Sequence, residues 1–331
     1  MDLLATTLGL FPLPDAQREL LAERGGRRNA SHVVSEESSG ERAPYDAARE
    51  GLVARQREAG LDLIVEGQAR WEDMLAHPLC VHEHVRPGSV ERYYDNNNFY
   101  RRPVVEGELT PSGDLAADLE RVALADGNPQ AVVPGPYSLA DLATDAYYGD
   151  GAFLDAVAEF LAGEVAAFPE ETACVFVLEP SLVTNPPDAD ERERVRDAVD
   201  TVVRAAEAPV VLQASWGALG EALHAHLLDT GVSALGYDLV CAHEESAYLV
   251  QEYGTAEDVA LGVVDGQNTH VEDPETVRER VRWFRDSVPV SDFDTVYVAP
   301  NTGLFYLPVN RFEAKLDALG ASVDLASEAA R

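Results

Sequence analysis

At 331 residues with 46% apolar side chains, the chain has material for one large core, and nothing in it approaches the ~20 continuous apolar residues that a membrane helix needs. The acidic start Met1-Asp2-Leu3 does not read as a signal peptide, which points to a cytoplasmic protein. With 59 acidic against 25 basic residues, the formal charge of −34 repels nucleic acid and anionic membranes, and suggests a halophilic chain whose carboxylates stay hydrated in a salty cytoplasm.

In chain order, short aliphatic runs predict strands at Leu3–Leu8, Leu61–Val65, Ala131–Val133, Cys174–Leu178, Val210–Leu212, Ala234–Tyr237, Val259–Val263 and Thr295–Val298. Amphipathic periodicity predicts helices at Tyr45–Ala59, Gly151–Ala167, Asp190–Ala206, Ala218–Asp229, Pro274–Ser287 and Val309–Leu319. The run Glu272-Asp273-Pro274-Glu275 puts acid and proline at a helix start, where both are favoured. Eight alternations of strand and helix, with no GxGxxG and no P-loop, predict an α/β fold: a single (β/α)8 TIM-type barrel over residues 1–331. Insertions are expected after the first two strands. One is residues 24–43, polar and read as mobile; the other is Val85–Asp114, read as a long loop.

Barrels of this kind place function at the C-terminal strand ends. Those positions carry Thr7, Glu66, Gln68, Glu179, Gln213, Ser215, Trp216, Asp238, Asp265, Asn268, Asn301 and Thr302, a polar set suited to a binding pocket. Strand-end polar residues also serve as turn formers and helix caps.

The chain resembles the cobalamin-independent methionine synthase family, most closely its N-terminal barrel. The likeness is carried by Thr6-Thr7-Leu8-Gly9-Leu10-Phe11-Pro12, by Gly60–Gly67 with Trp71, and by the run from Arg92 to Tyr100 with Pro103 and Gly107. Pro134-Gly135-Pro136-Tyr137-Ser138-Leu139, Glu179-Pro180 and Asp265-Gly266-Gln267-Asn268 complete it, in the same order. The resemblance implies a role in methionine biosynthesis, where a folate methyl group reaches homocysteine bound beside zinc on a second, C-terminal-type barrel. It also implies which positions would be zinc ligands: Gln213, Ser215, Asp238 and Thr302 stand where that barrel has His, Cys, Glu and Cys. Two hydroxyls, an amide and one carboxylate do not make a soft zinc site. The expectation is therefore no metal or other cofactor on this chain, with zinc in a partner barrel. The family's folate tail suggests Arg18, Arg101 and Arg102 as carboxylate-binding residues, because guanidinium forks suit carboxylates. The run Asp95–Tyr100 would supply a lid, with Asp95, Asn97 and their neighbouring amides for polar edges and Tyr94, Phe99 or Tyr100 for stacking.

Other ligand-like clusters weigh less. Cys80-Val81-His82-Glu83-His84 lies between Pro78 and Pro87 and reads as a loop or helix end. His224 and His226, two apart on a helix, do not share a face. His243-Glu244-Glu245 reads as a solvated turn, and Cys80, Cys174 and Cys241 are too few and too scattered for a disulfide framework. Three functional readings remain open at this point. The first is the N-terminal-type component of a split methyltransferase. The second is an independent barrel enzyme, corrinoid-linked or like uroporphyrinogen decarboxylase, using Glu66, Glu179, Asp238 and Asp265 for acid–base work. The third is a non-catalytic scaffold.

Overall fold

The computed structural model describes residues 2–15, 18–19, 33–73, 75–94, 99–123, 128–149, 151–288 and 293–329. Eleven strands are described in chain order: β1 (Asp2–Ala5), β2 (Ile64–Val65), β3 (Val85–Arg92), β4 (Phe99–Val105), β5 (Pro129–Pro134), β6 (Thr144–Asp145), β7 (Cys174–Leu178), β8 (Val210–Gln213), β9 (Ala234–Asp238), β10 (Asp258–Val264) and β11 (Thr295–Pro300). Eight of them form one all-parallel sheet in the order β1-β11-β10-β9-β8-β7-β5-β2. The sheet closes on itself just before β2: Asp62 N and Leu63 N donate to Ala5 O at 3.0 and 3.3 Å. Ala5 N in turn donates to Asp62 Oδ2 at 2.7 Å. The expected (β/α)8 barrel is the fold, and each of the eight expected strands is present.

Strands such as β7 and β8 are buried at every residue, which is why the sequence shows continuous aliphatic runs there rather than alternation. Inside the barrel, Gln130 on β5 reaches across β2 to the end of β1: its Nε2 donates to Thr7 O at 2.7 Å and its Oε1 accepts from Thr6 Oγ1. Phe176 and Tyr297 meet edge to face at 5.7 Å between ring centroids. Among the described residues, no helix is long and apolar enough to cross a membrane.

The structure departs from the sequence reading in both insertions. Residues 24–32 lie outside the described residues, so the mobility expected of them has no structural counterpart here. Residues 33–43 hold a short 3-10 turn (Val34–Glu36) and the start of the helix Ser39–Glu58. That helix begins six residues earlier than Tyr45 because a capping box, Ser38 with Glu41, satisfies its first N–H groups, and Pro44 is tolerated inside it. Val85–Asp114 is not a plain loop. It contains the β3–β4 hairpin, antiparallel with a bulge between Pro87 and Val90, and β6 joins β4 to make a separate three-stranded sheet. Helices also form at Asp114–Ala123 and His243–Tyr253, so His243-Glu244-Glu245 opens a helix instead of making a solvated turn.

The first insertion packs on the loop after β2 through buried ions. Arg70 donates to Glu37 at 2.8 Å and to both oxygens of Asp114 at 3.0 Å, and reaches Asp118 at 3.3 Å. Arg49, on Ser39–Glu58, meets Asp118 at 2.5 Å and Glu66 at 3.3 Å. His77 Nε2 lies 3.0 Å from Asp114 Oδ2. Burial alone would raise the Asp114 carboxyl, but His77 and the Arg70 guanidinium hold it down to about 2. Glu66 is thus placed between the barrel wall and the helix layer, in this ion cluster, which corrects its assignment to the binding pocket. The reason is local: β2 ends at Val65, and the buried Arg49 on the neighbouring helix draws the next side chain outward.

Candidate functional site

Among the described residues, four non-glycine positions adopt positive φ, and each stands at or over the C-terminal end of the barrel: Leu10 (40°), Gln68 (49°), Tyr94 (44°) and Trp216 (69°). Backbone strain of this kind persists only where surrounding contacts over-determine it, and it gathers at functional sites. Gln68 shows how it is held here. Its Oε1 accepts from Leu10 N at 2.7 Å while its Nε2 donates to Val132 O at 3.0 Å, locking the loops after β1 and β2 onto β5. Gly9, at φ 70°, is required beside it, because a Cβ there would collide with the Gln68 amide.

Glu179, at the end of β7, is fully buried and caps the helix Pro136–Asp141. Its Oε1 accepts from Tyr137 N at 2.9 Å, and its Oε2 from Ser138 N at 2.8 Å and Ser138 Oγ at 2.6 Å. Gly135 permits the approach, since any Cβ would overlap the carboxyl group. Burial pushes the Glu179 carboxyl up to about 7 in spite of these donors.

The ends of β8, β9 and β11 form a second hub around Asp238, also fully buried. Its carboxylate accepts from Trp216 N at 2.8 Å, Val240 N at 3.0 Å, Cys241 N at 2.9 Å and Asn301 Nδ2 at 3.1 Å. Burial raises its pKa, opposed by these donors. Ser215 Oγ donates to Asn301 O at 2.8 Å, and Asn301 Oδ1 accepts from Gly266 N at 3.0 Å. The Cys241 thiol beside this hub is pushed up to about 12 by burial and by the Asp238 charge, so it is no thiolate at neutral pH.

These carboxylates are already occupied by the protein's own N–H groups. What remains unsatisfied is neutral: Thr7 Oγ1, Gln213 Oε1, Thr302 Oγ1, Tyr93 Oη and Trp216 Nε1 are buried without a hydrogen-bond partner among the described residues. Aromatic rings stand beside them, because the β3–β4 hairpin folds over the mouth. Tyr94 and Tyr93 lie 5.0 and 6.1 Å from the Trp216 ring, and Tyr94 Oη is 2.7 Å from Ser181 Oγ. The mouth thus gathers neutral donors and acceptors beside three aromatic rings.

The remaining expected site residues divide plainly. Tyr100 is buried under the hairpin with its hydroxyl on Leu142 O at 3.2 Å, so it packs and does not face the mouth. Arg102 braces the hairpin through Glu91 at 2.8 Å and the carbonyls of Asp141 and Ala143. Arg101 is exposed on the other face, and Arg18 pairs with Asp15 in the exposed segment after β1. The three arginines therefore make no single clamp. Asp265 and Asn268 accept from Gln267 N and His270 N, which is turn formation. Asp95 and Asn97 lie outside the described residues. Asn301 is among the expected strand-end residues; the sequence reading missed Tyr93 as part of the mouth hub, and Glu272 with Lys315 as the pair beneath the loop after β10. Lys315 Nζ donates to Glu272 Oε2 at 2.7 Å and to His270 O, while Glu272 Oε1 accepts from Asp265 N.

The residues at the four zinc-type positions do not fit zinc. Gln213 Nε2 is turned to Ala214 O at 2.5 Å, Ser215 donates to a carbonyl, Asp238 is saturated by N–H donors and Thr302 brings a hydroxyl. No group of three or more His, Cys, Asp or Glu able to hold a metal occurs among the described residues. His82 and His84 are engaged by Thr110 N and Glu108 O, and His224 is buried against Tyr237 while the half-buried His226 faces Ala222 O.

Titration of the buried groups gives a testable slope. The carboxyls of Glu66 and Glu179 reach about 7 through burial, Glu66 also through the Asp118 charge, whereas unfolded glutamate sits near ~4.3. A raised folded pKa stabilises below the unfolded value and the benefit is lost as pH rises through the folded one. His224, pushed down to about 4 by burial, opposes this below ~6.5. The melting temperature at constant salt is therefore expected to fall most clearly from about pH 5 to 7 and to level off above it, and Glu66→Gln to reduce the slope. A flat or rising profile would refute these assignments.

Fold and strand ends together define a (β/α)8 protein whose C-terminal mouth carries a buried polar network and a Tyr93–Tyr94–Trp216 wall. Residues 69–289 match the family model described as cobalamin-independent synthase, N-terminal domain, and the chain belongs to that family. It is 24% identical over 314 residues to a methionine synthase of Sulfurisphaera tokodaii, covering 92% of this chain and 86% of that protein. Against a methionine synthase of Saccharolobus solfataricus the figures are 23%, 92% and 89%. Its fold superposes on a B12-independent methionine synthase from Shewanella sp. W3-18-1, solved in complex with selenomethionine, with a TM-score of 0.76 at 15% identity, over 99% of this chain and 98% of that one.

Proposed function

We propose that this chain is the N-terminal-type component of a split homocysteine methyltransferase in methionine biosynthesis, holding folate and docking a separate zinc-bearing barrel. The observation that carries the reading is the match to the family's N-terminal domain together with a mouth whose zinc-type positions hold an amide, two hydroxyls and a saturated carboxylate. Both curated relatives are of comparable length, so the division of labour rests on this chain's own strand ends. Methyl transfer is assigned to the companion barrel. This chain's part is recognition, through the unsatisfied neutral atoms and the Tyr93–Tyr94–Trp216 wall.

Acid–base catalysis by this chain alone finds less support, since Glu179 and Asp238 spend their oxygens on N–H and O–H donors. Calorimetric titration with the purified zinc-bearing barrel of the same cell and with folate polyglutamate tests the proposal; no heat with either defeats it. Trp216→Ala is expected to weaken folate binding roughly tenfold, the loss of one aromatic contact, with the melting temperature nearly kept. Unchanged affinity would remove the aromatic wall from the site. After exposure to zinc and desalting, elemental analysis is expected to find no stoichiometric metal; a full equivalent would overturn the reading of the four replaced positions.

A further inference from the structure

The neutral polar atoms of the mouth are shut away from water: Trp216 Nε1, Gln213 Oε1, Thr7 Oγ1 and Thr302 Oγ1 are all buried without a partner among the described residues. Of the two tyrosine rings beside Trp216, Tyr94 is the closer, at 5.0 against 6.1 Å. Its hydroxyl ends a directed chain of hydrogen bonds. Ser181 Oγ donates to Asp141 Oδ2 at 2.8 Å, and a serine has one proton to give, so the 2.7 Å contact between Tyr94 Oη and Ser181 Oγ is Tyr94 donating. The receiving end is rigid. Ser181 is fully buried, its N donates to Ser138 Oγ at 3.0 Å, and Asp141 Oδ1 accepts from Asn185 Nδ2 at 2.8 Å.

The hairpin around Tyr94 is held at other points. β4 pairs with β6, Tyr100 Oη donates to Leu142 O, and Arg102 donates to the Asp141 and Ala143 carbonyls. Tyr93, 1% exposed, packs edge to face on Tyr100 at 5.8 Å. Tyr94 is different: it is half-buried and sits at φ 44°, a left-handed backbone that a tyrosine leaves with relief of strain. Ring contact and one hydroxyl keep it closed, while strain and the unpartnered atoms near the Trp216 ring favour opening.

We propose that Tyr94 is a latch on the mouth: with its hydroxyl on Ser181 the ring covers Trp216, and rotation of Tyr94 out of the left-handed region uncovers the Trp216 indole for a ligand. Tyr93, Tyr100 and Arg102 stay in place, so the movement is that of one residue and not of the whole hairpin. The inference rests on the proposed function for the identity of the ligand, the folate; the opening itself belongs to this chain alone. A mouth that is mostly latched binds with an affinity lowered by the fraction that is open. Loosening the latch therefore strengthens binding, which is opposite in sign to the loss of a ligand contact.

The test is hydrogen exchange of the tryptophan indole N–H groups, followed by magnetic resonance in wild type, Tyr94→Phe and Ser181→Ala, with a calorimetric titration of folate polyglutamate into each. Trp71, 2% exposed, and Trp283, 38% exposed, are the internal references. The expected result is exchange at Trp216 faster by roughly fivefold to tenfold in both variants, the loss of one hydrogen bond, with Trp71 unchanged and folate bound more tightly by a similar factor. Wild-type exchange at Trp216 in both variants would overturn the latch, whatever the titration gives. Equal acceleration at Trp71 would mean general loosening and would overturn it too. Faster exchange at Trp216 with weaker folate binding would overturn the latch as a gate and make the hydroxyl a ligand contact. Faster exchange with no folate bound by any of the three would uphold the latch and overturn the proposed ligand.

Discussion

Replacing Lys315 by methionine is expected to cost about 3–5 kcal/mol of folding stability, the usual penalty for leaving one member of a buried ion pair alone. Lys315 is fully buried, and its ammonium holds Glu272 and the His270 carbonyl. Without it the Glu272 carboxylate, itself 5% exposed, keeps Asp265 N at 2.8 Å and Arg280 at 3.7 Å but loses its closest cation. The loop from Asp265 to Asp273 would loosen from the C-terminal helix Val309–Ala329. For a chain of this length the penalty corresponds to a melting temperature lower by roughly 4–7 °C. Adding Glu272→Gln is expected to recover part of the loss, because the amide still accepts from Asp265 N and leaves no charge behind. Denaturant titration at fixed salt checks both. A Lys315→Met variant within about 0.5 kcal/mol of wild type would show that the pair contributes nothing.

Arg70→Met is expected to be at least as damaging, again about 3–5 kcal/mol. Arg70 is 1% exposed and is shared by Glu37, Asp114 and Asp118, so its loss leaves three carboxylates facing one another with Arg49 as the nearest remaining guanidinium. Arg70→Lys keeps the charge but not the fork and should fall between. The sign with pH is distinctive. In the wild type, Asp114, held to about 2, contributes stability that is present above its unfolded value and lost only as pH falls toward 2. In the variant the Arg70 share of that depression is gone while the His77 and Val34 N contacts remain, so the deficit should shrink below about pH 4 as the carboxylates take up protons. A deficit that is the same at pH 4 and pH 8 would show that packing, not charge, sets the loss.

Much of the barrel could be read from the sequence because its strands are buried on both faces and its helices on one. Cys174–Leu178 and Pro274–Ser287 have the expected bounds for that reason. The hairpin was hidden because Val85–Arg92 mixes proline, glycine and charge on an edge with a bulge, where neither alternation nor aliphatic runs survive. The buried ions left a fainter trace. Lys315 falls on the apolar stripe Phe312, Leu316, Leu319, and Asp118 lies among Leu115, Leu119 and Val122, so each charge stands where a core residue belongs. For the mouth, composition showed a polar rim but not which members were already committed. Gln68, Glu179 and Asp238 hold the site together, whereas Thr7, Gln213, Thr302, Tyr93 and Trp216 keep buried polar atoms to offer. That distinction depends on hydrogen bonds between distant loops, which no local pattern encodes.

The most direct test of the central claim is homocysteine methylation from a folate donor, in high salt with added zinc, using this chain alone, a zinc-bearing family barrel from the same cell alone, and the two together. The expected result is no turnover by this chain alone and turnover in the mixture above that of the zinc-bearing barrel. Turnover by this chain alone would contradict the account and would mean that Gln213, Ser215, Asp238 and Thr302 do not mark a lost zinc site.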